Sequence, residues 1–127
     1  MKDDKISDWT LVWLLTSIHI AHNRPHDKAP ESYRKMKIAD RVKKYENLSE
    51  ILYVGDYIER AIFTSQELFL GIPNLLKRGV ILEEDGYLRP TEKFERDFKI
   101  AIKGKEELLI KDELNVVAGI LGVKASY

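Results

Sequence analysis

Few side chains in this sequence are able to do chemistry, and their spacing limits how they can combine. His19, His22 and His26 are its three histidines. His19 and His22 stand one helical turn apart, a separation at which two imidazoles can share a metal ion. Pro25 divides that pair from His26, and no cysteine or obvious carboxylate completes a ligand set. Surface or helix-end histidines are therefore expected, and no metal. Asp56 and Glu59 lie at i, i+3, close enough for an acid/base pair, but beside Arg60 they read as a solvated helix face. The sequence has no glycine-rich phosphate loop, nucleophile motif or catalytic-triad pattern. The expectation is a protein with no catalytic residues and no cofactor, and not an enzyme.

Charge is more informative than reactive groups. The 127 residues carry 21 basic and 21 acidic side chains, so net charge is zero and the whole-molecule field selects no polyanionic partner. Locally the balance breaks. From Arg24 to Lys44 there are eight basic residues against three acidic ones, a net of +5. From Glu46 to Leu76 five acidic residues face Arg60 alone, a net of −4. A second run of cations, Arg96, Lys99 and Lys103, falls opposite Phe94 and Phe98 on a helical repeat. The hydrophobic share of 44% and charged share of 33% are those of a soluble globular chain of one domain. With no cysteine there is no disulfide framework and no thiolate metal site; a cytoplasmic setting is expected.

These residues need elements to position them. Ser7 is a cap residue with Ile6 before it, and Trp9 to His22 is apolar on both sides. That segment is too short and too polar to span a bilayer, and its flank is not that of a signal peptide. It predicts a core helix, either central or shared with a second subunit. Residues 23–30 are a loop, and Ser32 to Tyr45 predicts a basic helix. Asn47 to Ala61 predicts another helix, weakened at Gly55. Thr91 opens a helix with Phe94, Phe98, Ala101 and Ile102 inward and Gly104 at its end. Glu106 to Gly122 predicts a last helix rich in Leu, Ile and Val.

Residues 63–90, FTSQELFLGIPNLLKRGVILEEDGYLRP, hold the densest set of local signals. Thr64 and Glu67 form a T-x-x-E capping box, so a helix should begin at Ser65. Leu68, Ile72, Leu75 and Leu76 make its core stripe, Lys77 and Arg78 suit its C-terminal dipole, and Gly79 stops it. Val80 to Leu82 and Tyr87 to Arg89 read as strands joined by an Asp85-Gly86 turn.

Leu75, Gly79, Ile81, Tyr87 and Thr91 are spaced as in the winged helix-turn-helix family, which this stretch resembles. Asp56, Ile58, Ala61, Ile62, Phe63 and Thr64 resemble a segment of an uncharacterised bacterial winged-helix group. The likeness covers roughly residues 48–103. It implies one domain of mainly α structure with a small β-hairpin: a winged helix-turn-helix core (48–103), an N-terminal core helix (1–22), a basic loop and helix (23–47) and a C-terminal helix (104–127).

The resemblance also implies a DNA-binding, transcription-regulator type of module, with the helix from Ser65 to Arg78 in the major groove of double-stranded DNA. Gln66 and Asn74 can then hydrogen-bond adenine and Lys77 can reach phosphate or guanine. Arg34, Lys35, Lys37, Arg41, Lys43 and Lys44 would hold the phosphate backbone. The alternative is a protein-protein interaction module on the same scaffold, contacting its partner through Phe69, Leu70, Pro73 and the acidic tip Glu83, Glu84 and Asp85. Pro73 should cost the helix a hydrogen bond and bend it. The apolar outer helices suggest a homodimer.

Overall fold

A computed structural model describes residues 6–24, 29–36 and 42–124. Among them are six helices and one two-stranded antiparallel hairpin. Helix α1 (Asp8–Asn23) starts where the Ser7 hydroxyl accepts from the Thr10 N–H at 3.1 Å. Every residue from Thr10 to Ile20 is buried. The reason is position: α1 is packed by α3 (Leu48–Glu59), α4 (Ser65–Lys77), the second hairpin strand β2 (Tyr87–Pro90) and α6 (Ile110–Leu121). Its Leu11, Leu14, Leu15 and Ile18 are essentially inaccessible, each worth about 1.5–3 kcal/mol of transfer free energy. The apolar character on both sides of α1 is thus satisfied within one chain. Among the described residues no helix is long and apolar enough to cross a membrane.

Two glycines permit close packing around this beam. A Cβ on Gly55 would stand 2.4 Å from the Phe63 ring, which stacks on Trp13 with centroids 3.8 Å apart. The Trp13 indole N–H donates to the Gly55 carbonyl at 3.0 Å. Gly55 therefore exchanges helix propensity for an aromatic contact that fastens α1 to the connection between α3 and α4. At Gly71 a Cβ would meet the Leu14 methyl at 2.7 Å, where α4 crosses α1.

The hairpin pairs β1 (Ile81–Glu84) with β2, in the register Glu84 to Tyr87 and Glu83 to Leu88. Asp85 and Gly86 both have positive φ, 54° and 85°, as a two-residue turn matched to strand twist requires. The strands begin one residue later than expected at β1, because Val80 still belongs to the helix stop: its N–H reaches the Leu75 carbonyl across Gly79 (φ 76°). Helix α5 (Glu92–Ala101) follows directly, with the Thr91 hydroxyl accepting from the Phe94 N–H.

Three boundaries depart from the sequence expectation. Among the described residues of the basic segment the only helix is a single turn, α2 (Glu31–Arg34), held by the Tyr33 hydroxyl on Asp56 at 2.5 Å and its ring beside Tyr53. Residues 42–45 are not helical, since Val42 is buried and Glu46 is drawn to the hairpin, its N–H donating to the Gly86 carbonyl. Helix α6 starts at Ile110 rather than Glu106, where the Asp112 carboxylate accepts from the Leu109 N–H. Helix α3 stops at Glu59 because Arg60 turns left-handed, at φ 57°.

Candidate functional site

Helix α4 is built as its local signals require. The Thr64 hydroxyl accepts from the Glu67 N–H at 3.0 Å, and the Glu67 carboxylate accepts from the Thr64 N–H at 2.9 Å. Leu68, Gly71, Ile72 and Leu75 turn inward. Gln66, Phe69, Pro73 and Lys77 are exposed, whereas Leu70 and Asn74 are half-buried on its flanks. The helix continues through Pro73. That residue lies on the exposed face, where water can compensate for its missing N–H. Asn74 is engaged within the helix: its side-chain oxygen accepts from the Arg78 Nε at 2.6 Å. Arg78 in turn donates from Nη1 to the Leu121 carbonyl at the end of α6.

Residues 42–45 of the basic segment lie beside this helix, whereas Tyr33 in α2 packs on α3. Val42 and Tyr45 form one wall of a groove of about 130 Å³, and Phe69 and Pro73 form the other. Lys43, on the same rim, is paired with Glu83 at 2.5 Å. That hydrogen bond holds its ammonium pKa above the ordinary lysine value. Lys35 pairs with Glu31 one turn away, an exposed contact that contributes little. Arg34 and Lys44 are exposed and flank a second concavity of about 130 Å³, which includes Ser49 in the first turn of α3. Lys37 and Arg41 lie outside the described residues.

That first turn has no side-chain cap. Asn47 occupies the capping position, but its amide is committed to the hairpin, donating to the Leu88 carbonyl and accepting from the Leu88 N–H. The Leu48 N–H donates to the Tyr45 carbonyl, so the Ser49 and Glu50 N–H groups are the ones that carry the helix-end partial charge near Arg34 and Lys44, with the Glu50 carboxylate in the same turn.

At the hairpin tip Glu83, Glu84 and Asp85 are exposed. Two of them are matched within the chain, Glu83 by Lys43 and Glu84 by Arg89 at 3.2 Å. The acidic tip is therefore less negative than its sequence suggests. The other cations, Arg96, Lys99 and Lys103, are exposed on the outer side of α5 and the turn after it.

Two further reactive side chains, His19 and Asp56, are engaged within the fold. His19 is buried against Phe94 and Phe98, with Glu95 3.4 Å from its Nδ1. It is a core residue rather than the surface or helix-end histidine expected, because α5 packs over that side of α1. His22 is exposed, and His26 lies outside the described residues. Among the described residues no group of three His, Asp or Glu could hold a metal ion. Asp56 serves Tyr33 rather than Arg60, and partial burial pushes the Glu59 carboxyl upward. A concavity of about 580 Å³ is an open basin between His22, Glu46, Glu50, Tyr87 and Arg89.

Sequence reasoning missed Asn47, because an Asn before a helix signals a cap and here does something else. It also missed the Arg24–Glu113 ion pair, whose carboxylate is fully buried, since the partners are 89 residues apart. Comparison with protein-family models, curated proteins and solved structures found no match to this chain.

Proposed function

We propose that the chain is a winged helix-turn-helix scaffold that binds duplex DNA, with α3 and α4 as the helix pair and β1–β2 as the wing. The observation that carries this reading is the cationic concavity made by Arg34, Lys44 and the first turn of α3, which has no side-chain cap. A helix N-terminus flanked by cations suits a phosphate group. Positioned there, a backbone phosphate would orient α4 toward the groove, with Gln66 and Lys77 foremost. The wing contributes little, because Lys43 and Arg89 offset two of its three acids and Asp85 leaves the tip net negative. The test is retention of mixed-sequence duplex fragments at low salt. The double variant Arg34→Glu/Lys44→Glu should lose it, and intact retention by that variant would count against the reading.

A second reading rests on the groove between Tyr45 and Phe69. Phe69 is 36% exposed there, an apolar feature that DNA would not use and a protein partner or second copy could. Phe69→Asp should then remove a partner or change the elution volume while the fold persists. An unchanged elution volume and partner profile would end this alternative.

A further inference from the structure

We infer that the concavity at Arg34 and Lys44 takes an unpaired nucleotide base against Tyr33 and Tyr45, so that the chain favours DNA carrying a single-stranded overhang over blunt duplex. The inference rests on the reading above for its phosphate contact and adds the base beside that phosphate. A phosphate alone needs cations and N–H groups. This concavity offers more than those. Its lining includes Tyr33 and Tyr45, with Met36, Leu48 and Leu52 as apolar contacts. Aromatic side chains beside backbone-tracking cations are how a single strand is held, whatever its sequence. A paired base is stacked on both faces within the duplex and does not reach such a surface. At about 130 Å³ the space is that of roughly four waters, enough for one ring and too little for a base pair.

Both tyrosines are half-buried and held in place by the fold. Tyr33 donates its hydroxyl to Asp56 at 2.5 Å and tilts against Tyr53, with ring centroids 5.3 Å apart. The Tyr45 carbonyl accepts from the Leu48 N–H at 3.1 Å, which ties that residue to the first turn of α3. Arg34 and Lys44 are exposed on the same lining, and Ser49 adds a half-buried hydroxyl there, a group able to meet the edge of an unpaired base.

The experiment is a fluorescence anisotropy titration of the full chain at low salt, with one mixed-sequence duplex in three forms: blunt, with a short thymine overhang, and with the same overhang made abasic. The thymine form should bind about tenfold more tightly than the blunt form, within what one stacked base contributes. The abasic form keeps the added phosphates and should lose most of that gain. Tyr45→Leu should bring the thymine form down to the abasic level, and Tyr45→Phe, which keeps the ring, should retain the difference. Equal affinity for the thymine and abasic forms of the parent chain overturns the inference, and so does a thymine preference that survives Tyr45→Leu. Thymine overhangs bound where blunt duplex is not would uphold it and end the duplex reading. Blunt duplex bound with no gain from thymine would do the reverse. If no form is retained, both fall.

Discussion

The side-chain amide of Asn47 satisfies both backbone positions of Leu88, donating to its carbonyl at 2.9 Å and accepting from its N–H at 3.1 Å. With the Glu46 N–H on the Gly86 carbonyl at 2.8 Å, residues 46–47 do for the outer edge of β2 what a third strand would do. The same commitment leaves α3 without a side-chain cap. One asparagine therefore couples the hairpin to the N-terminus of α3.

Asn47→Ala removes both bonds and leaves the buried Leu88 backbone unpaired. It should destabilise the chain by about 2–3 kcal/mol in urea unfolding, with faster amide exchange at Leu88. A loss under about 0.5 kcal/mol would mean that water replaces the amide without cost.

Gly55→Ala should destabilise despite the better helix propensity of alanine. The propensity gain is about 1 kcal/mol, while the clash with the Phe63 ring falls in the range of overpacked cores, about 1–3 kcal/mol. Gly71→Ala should cost less, because its nearest neighbours are the methyl ends of Leu14 and Ile6. Thermal unfolding of the two variants checks the order, and the reverse ranking would be inconsistent with the ring contact.

His19 makes stability depend on pH. Burial lowers its pKa from the ordinary 6.5, against the opposing pull of Glu95 and with help from Arg24 and His22. Between the unfolded and folded pKa the unfolded chain binds more protons, so stability is complete above 6.5 and falls as pH drops through it. His19→Gln should flatten the slope of unfolding free energy against pH below 6.5, where the unfolded chain takes up the proton first. An unchanged slope would assign the titration elsewhere.

The end of α1 is tied to α6 by Arg24, which is half-exposed, and Glu113, which is fully buried with one carboxylate oxygen unpartnered. Arg24→Met leaves that carboxylate uncompensated and should cost about 2–3 kcal/mol, less than a fully buried pair because solvent reaches Arg24. Arg24→Met/Glu113→Leu should recover most of the loss in denaturant titrations. Additive losses in the double variant would contradict this account of the pair.

The legible parts of the fold are those set by residues three or four apart. Thr64 and Glu67, Thr91, Gly79 and Asp85-Gly86 each specify a conformation by themselves, and each stands where it was expected. What escaped depends on distant partners. Gly55 reads as a flaw in a helix until Phe63 is placed against it. The run from Ser32 to Tyr45 has helical composition, but Tyr33 and Val42 are claimed by neighbours. For the candidate site, the local charge of +5 located the cations without revealing that Lys43 pairs with Glu83, 40 residues on, while Arg34 and Lys44 remain exposed.

In the duplex-DNA reading, Arg34, Lys44 and the first turn of α3 hold a phosphate while α4 faces the groove. The most direct test is the affinity for a mixed-sequence duplex measured against salt concentration. Log affinity should fall linearly with log salt. The slope should become shallower by about 2 in Arg34→Glu/Lys44→Glu, near one unit for each lost phosphate contact. No binding at the lowest salt, or a slope that the double variant leaves unchanged, would contradict it.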